Sequence, residues 1–204
     1  MSEKVDHLEK IKTLAAGLAS PSFIGANLEQ MTLETDHLIL RDYVHSDWER
    51  IHIYAAIPDF SKFELWGPNT DADSQKFVKD MHLQASTLPR FKFDFAVCLR
   101  ENNLLIGGCG IRRETELSQV ANLGWAINPE FQNKGYATEA ARALICYGYE
   151  QLRLSVIYAK CDTRNLASSK VMEKLGMLNV GTVKGTKEHR GYVRDTSRYE
   201  LVQK

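Results

Sequence analysis

The sequence predicts an α+β fold, a mostly antiparallel sheet of about seven strands flanked by helices. Three observations carry that expectation. Phe91, Phe93, Phe95, Val97 and Leu99 alternate with mostly polar residues, the period-two pattern of a half-buried strand, and Glu101-Asn102-Asn103 turns the chain back into a partner at Leu104 to Arg112. Val120 to Ile127 reads as the next strand and leads through a proline turn into a helix over 135–151. Two last strands, at 179–185 and 192–202, complete the sheet. At 204 residues, with 44% hydrophobic and 25% charged residues, the chain can bury a substantial core and falls in neither the disordered nor the fibrous class.

The remaining elements follow in order. Residues 1–31 precede the domain as an extension, and within them Val5, Leu8, Ile11, Leu14, Ala15 and Leu18 recur at helical spacing before Ser20-Pro21 stops the pattern. The apolar stripe of this amphipathic helix needs a cover, supplied either by its own domain or by a second copy, so a homodimer stays open. The domain, 32–204, opens with a strand near 37–43. Ser46 and Glu49 then have the spacing of a capping box for a helix containing Trp48, Ile51 and Tyr54. Thr70-Asp71-Ala72-Asp73 starts a second helix that ends before Pro89. Ser155 to Cys161 is a fifth strand, and the helix from about 166 to 175 stops at Gly176.

Charge and cysteine usage narrow the partners. Lys plus Arg equals Asp plus Glu at 26 each, without the basic excess of a nucleic-acid or anionic-membrane binder. Cys98, Cys109, Cys146 and Cys161 show no zinc spacing and lie in apolar segments, as buried reduced thiols do. The charged start Met-Ser-Glu-Lys-Val-Asp is unlike a signal peptide, and no stretch nears the ~18 apolar residues of a membrane span. A cytoplasmic location is expected.

The segment from Leu123 to Ala137 passes from strand to helix start with Gly135 at the junction. The first turn of a helix offers unpartnered N–H groups and the positive end of the macrodipole, so it suits a phosphate. Lys134 precedes Gly135 and is followed by Tyr136 and Ala137, which is not the Gly-Lys-Ser/Thr of a triphosphate loop, and the three glycines of a dinucleotide fingerprint are missing.

Gln132-Asn133-Lys134-Gly135-Tyr136-Ala137 resembles the pyrophosphate loop of the GNAT superfamily, acetyl-CoA-dependent N-acetyltransferases. The resemblance extends forward to Leu33-Glu34-Thr35-Asp36-His37-Leu38-Ile39-Leu40-Arg41 and back to Asn165-Leu166-Ala167-Ser168 with Glu173-Lys174-Leu175-Gly176-Met177. Closest in pattern is the Rim-type branch, whose best-known members acetylate N-terminal amines of ribosomal proteins. The resemblance implies a mixed sheet with a splayed strand pair holding the cofactor, acetyl-CoA as co-substrate, and no metal. It places the pyrophosphate on the backbone N–H groups from Asn133 to Thr138, with charge from Lys134, and the pantetheine arm along Trp125, Ala126 and Ile127. The Trp125 side chain is read equally well as packing. Asn165 either caps its helix or bonds the pantetheine, and Ser168 lies near the sulfur, where its hydroxyl donates a hydrogen bond to the departing thiolate.

Two departures bear on mechanism. Met172 stands where many members carry a tyrosine general acid, which leaves Ser168 as the catalytic candidate. Asn122 stands where related sequences often have a glutamate base, and asparagine cannot accept that proton. An α-amino group of pKa ~7.7 to 8 is about a tenth neutral at pH 7, whereas a lysine of pKa ~10.4 is almost never neutral, so a site without a strong base suits an α-amine. The Ser61–Pro68 loop resembles the branch's substrate-side loop: Phe63 and Trp66 flank the acceptor, Glu64 attracts its ammonium, and Asn122 borders it. Glu114 and Glu116, in the preceding turn, and Asp195 and Tyr199, on the last strand, are further candidates explained as well by solvation or strand hydrogen bonding. A protein or peptide N-terminus is preferred as acceptor over a polyamine, an amino acid or an amine antibiotic. From another class, a non-catalytic acyl-CoA-binding module is the rival reading, because Met172 and Asn122 both lack groups used for proton transfer.

Overall fold

The computed structural model describes residues 23–24, 31–189 and 192–203, with side chains for 31–185 and 193–203. Its strands are β1 (Phe23–Ile24), β2 (Thr32–Glu34), β3 (Leu38–Arg41), β4 (Lys92–Leu99), β5 (Leu105–Arg113), β6 (Val120–Ile127), β7 (Val156–Asp162), β8 (Leu178–His189) and β9 (Tyr192–Val202). They form one sheet in the order β1-β2-β3-β4-β5-β6-β7-β9-β8. Every neighbouring pair is antiparallel except β6 and β7. The expected α+β class is therefore met, with nine strands among the described residues instead of about seven. The two additions, β1 and β2, are two and three residues long, too short to show an alternation. The amphipathic helix expected over residues 5–18 lies outside the described residues. Among the described residues no helix is long and apolar enough to cross a membrane.

Helices α1 (Asp47–Ala55) and α2 (Asp71–Ser86) cover one face of the sheet, and α3 (Tyr136–Glu150) and α4 (Leu166–Lys174) the other. Strand β4 shows why. Phe93, Phe95, Val97 and Leu99 enter the core beneath α3 and α4, while Ala96 and Cys98 join Tyr43, Ile51, Tyr54 and Val78 on the opposite side. The strand is consequently buried on both faces from Phe93 onward, not half-buried. Its polar exception, Asp94, is buried too and is satisfied by partners described below.

Local signals were honoured unevenly. Thr70 and Asp73 form a reciprocal capping box at the start of α2. Ser46 occupies the N-cap of α1 yet makes no side-chain cap bond. Asp47 does that work differently, since its carboxylate accepts from the Val44 amide at 2.8 Å and takes Arg41 at 2.8 and 2.9 Å, tying the helix start to β3. At the end of α4, Gly176 adopts the left-handed conformation, φ 77°, that a C-terminal stop needs. In the first turn of α3, Glu139 accepts from Thr35 Oγ1 at 2.7 Å and the His37 amide at 2.9 Å. The β2–β3 turn and the start of α3 are thereby locked together.

Candidate active site

Strands β6 and β7 pair for three residues only, Val120↔Val156, Ala121↔Ile157 and Asn122↔Tyr158. Beyond that point each keeps its outer partner, β5 along Ala121 to Ile127 and β9 along the whole of β7, while their facing edges part. The parted edges carry backbone N–H and C=O groups with no strand between them, which is a demand for an amide-bearing occupant. Asn122 marks the fork, its Nδ2 lying 3.5 Å from the Tyr158 carbonyl oxygen.

The loop that follows β6 is built from its own side chains. Asn128 Oδ1 accepts from the Glu130 amide at 3.1 Å and starts a short 3-10 turn, Pro129–Phe131; Gln132 Nε2 donates to the Ile127 carbonyl at 2.8 Å. Asn133 and Gly135 then take positive φ, 61° and 89°, the left-handed region that asparagine and glycine tolerate best. Gly135 is the N-cap of α3 and no side chain caps that helix, so the amides of Tyr136, Ala137 and Thr138 are presented at the positive end of its dipole. Lys134 does not line the cavity beside this loop; its ammonium lies over the Phe131 ring, 5.2 Å from the centroid.

On the facing side, Asn165 caps α4, accepting from the Ser168 amide at 3.1 Å. The capping reading of Asn165 is thus realised, and Asn165 also lines the cavity. Met172 is wholly buried in the core.

Two cavities meet here. One, of about 630 Å³, runs past the loop and is bordered by Ile127, Gln132, Asn133, Gly135 to Thr138 and Asn165. The other, of about 1040 Å³, opens toward α1 and α2 and is bordered by Trp66, Asn122 and Tyr43. They share four residues, Glu64, Trp125, Ala126 and Ser168. Trp125 packs against the core as well, as the packing reading of its side chain expects. Phe63 borders the smaller cavity, with the Arg164 guanidinium 5.9 Å over its ring. Burial raises the Glu64 carboxyl above the usual carboxylate range, against an opposing pull from the positive Arg194. Glu64 makes no side-chain hydrogen bond among the described residues.

Several candidates are not brought in. Glu114 and Glu116 are exposed in their turn, Tyr199 is core, and Asp195 accepts from the Gly185 amide at 3.0 Å. The thiols of Cys98 and Cys109 are buried, and burial pushes them up to about 11 and about 12. Conversely, sequence reading missed Asp94, Arg112, Lys160 and Arg194 in the larger cavity. The one available signal was Asp94 itself, a carboxylate between Phe93 and Phe95.

The profile of the acetyltransferase (GNAT) domain matches residues 37–178. The uncharacterized N-acetyltransferase YnaD of Bacillus subtilis (strain 168) is 33% identical over 155 residues, 76% of this chain and 86% of its own. A GNAT-family acetyltransferase from Bacillus anthracis, known from its crystal structure, is 31% identical with a TM-score of 0.76 over 84% of this chain and 98% of its own. RimL, the ribosomal L7/L12 alpha-N-protein acetyltransferase, in complex with coenzyme A, shares the fold at 17% identity, with a TM-score of 0.72 over 82% of this chain and 95% of its own. The parted strands, the glycine-capped helix and these likenesses converge: the chain belongs to the GNAT family of acetyltransferases and is an acyltransferase enzyme using acetyl-CoA.

Proposed function

We propose that the enzyme acetylates an α-amine, in the first place that of a protein or peptide N-terminus, by direct attack on acetyl-CoA in a ternary complex. The observation that carries this is the meeting of two cavities at Glu64, Trp125, Ala126 and Ser168, one beside the amide-presenting loop and one beside α1 and α2. In this reading the amides from Asn133 to Thr138 receive the pyrophosphate, and the free edge of β6 at Trp125 to Ile127 pairs with the pantetheine arm. The thioester then lies at the shared residues. The amine nitrogen attacks the thioester carbonyl carbon, the C–N bond forms as the C–S bond breaks, and the electron pair leaves on sulfur. Ser168 donates a hydrogen bond to that sulfur, and Glu64 takes the proton the amine sheds. The raised Glu64 carboxyl supports this role, because a base closer to neutrality is better matched to an amine than an ordinary carboxylate.

A polycationic acceptor fits the larger cavity less well. It is bordered by Glu64, Asp73, Asp80 and Asp94 but equally by Lys76, Arg112, Lys160 and Arg194, so no acidic sink exists there. Asp71, on the same helix, is turned to His52 at 3.0 Å.

Ser168→Ala lowers turnover about tenfold, the worth of one charge-assisted hydrogen bond, and leaves acetyl-CoA affinity within about twofold. Steady-state kinetics and calorimetry on one preparation test it; unchanged turnover removes the role. Gly135→Ala forces a side chain into φ 89°, a strain of about 1–2 kcal/mol. Acetyl-CoA then binds about tenfold more weakly with kcat retained at saturating donor. Calorimetric titration reads this directly, and undiminished affinity would remove the loop from the donor site.

A further inference from the structure

The wall of the larger cavity contains an ion pair to which the acetyl transfer described above assigns no part. Asp94, with only 8% of its side chain exposed, accepts from Arg112 Nε at 2.9 Å and from Gln84 Nε2 at 2.7 Å, and it also contacts Arg112 Nη2. The pairing depends on register. Asp94 stands opposite Gly110, two residues before Arg112 on the same face of β5, and a β-carbon at Gly110 would collide with both partners.

This bracing holds one edge of the guanidinium and leaves the other edge to the cavity. Arg112 keeps 39% of its side chain exposed, and Nη1 makes no hydrogen bond among the described residues. Its direction is given by Gly124: Nη1 lies 3.3 Å from the point a β-carbon there would occupy. Gly124 immediately precedes Trp125, which borders both cavities. A guanidinium donor held by a buried carboxylate thus lies against β6 at Gly124, the neighbour of a residue that borders both cavities. Lys160 and Arg194 border the same cavity and add positive charge. Glu64 stands at the junction itself. The four carboxylates of this cavity differ in commitment: Asp94 is held by Arg112, Asp80 by Lys76 at 2.5 Å and Asp73 by the cap of α2, whereas Glu64 feels the charge of Arg194 but makes no side-chain hydrogen bond among the described residues and is the one that can take an ammonium.

We propose that the acceptor carries a carboxylate within about one residue's length of its amine, and that Arg112 Nη1 binds it while Glu64 receives the ammonium. A guanidinium fixed in orientation by a second-side carboxylate loses little freedom on binding, so it discriminates sharply between a carboxylate and its neutral amide. This assignment rests on the larger cavity being the acceptor side. The carboxylate belongs either to a free amino acid or to an acidic side chain beside a peptide N-terminus, and the two sources are separable.

The test is calorimetric titration of the full chain saturated with coenzyme A, so that no turnover is needed. One pair of titrants is an α-amino acid and its carboxamide. The other is a C-terminally amidated tripeptide with aspartate at its second position and the same peptide with asparagine. The carboxylate member binds ten- to a hundredfold more tightly in at least one pair, and the pair that responds identifies the source. Arg112→Gln combined with Asp94→Asn keeps the buried groups hydrogen-bonded and abolishes the preference, while coenzyme A affinity stays unchanged; Arg112→Lys retains part of it. Equal affinity within both pairs, including undetectable binding of all four titrants, overturns the proposal, as does full preference in the double variant. Failure of acetyl transfer, by contrast, counts against the reaction assigned above and leaves this preference to be read on its own.

Discussion

Glu64→Gln lowers kcat/KM for an α-amine acceptor about a hundredfold at pH 7, near the low end of what a general base contributes, because about a tenth of such amines are already neutral. The pH profile separates this from damage to the fold. Burial raises the Glu64 carboxyl, so wild-type activity climbs with pH through a limb above the ordinary carboxylate value of ~4.3, and a second limb near ~7.7 to 8 belongs to the amine. The variant keeps only the second limb, so its deficit closes as the pH falls through the carboxyl limb and stays constant above it. The linkage sign agrees. A carboxyl whose folded pKa is raised stabilises the fold below its unfolded pKa and loses that contribution as pH rises through the folded value, so the variant is no less stable than wild type at pH 7. A fall in activity matched by a fall in melting temperature would sink the assignment.

The largest loss of stability is expected at Asp42. Its carboxylate takes Arg90 in bidentate fashion, at 2.6 and 3.1 Å, and accepts the Met31 amide at 3.0 Å, with both side chains nearly buried. The Arg90 guanidinium in turn lies over the rings of Phe93 and Phe95, 4.9 and 5.5 Å from their centroids. Asp42→Ala strands a buried cation against two aromatic faces, at a cost of about 3–5 kcal/mol. Urea denaturation checks this through the midpoint at constant slope. Asp42→Ala with Arg90→Met recovers much of the loss, since removing both charges leaves no unpaired ion. A single variant as stable as wild type would show that the pair is solvated.

What could be read from the chain was what the chain writes locally. The bounds of β6 came from its apolar run ending at a proline turn, α2 from Thr70 and Asp73, and the stop of α4 from Gly176, each a signal held within a few residues. The glycine-capped start of α3 was legible for the same reason. Ser46 misled because the competing acceptor, Asp47, is one residue away and is chosen by Arg41, whose position only the fold supplies. The Asp94–Arg112 pair spans 18 residues and exists only in the observed β4–β5 register; a shift of one residue would turn the two to opposite faces. The tie from Glu139 to the His37 amide spans 102 residues and has no local sign at all. Helix and strand signals are short-range, whereas the walls of the larger cavity are assembled from register and long-range pairing.

The fork at Asn122 and Tyr158 has a mechanical consequence. Six strands lie on one side of it and three on the other, joined across the sheet by only three residue pairs. Packing carries the rest: Leu123 and Ile127 on one side of the fork belong to the same hydrophobic core as Ile157, Ala159, Tyr199 and Leu201 on the other. The gap is therefore an opening in the hydrogen-bond ladder and not in the core beneath it.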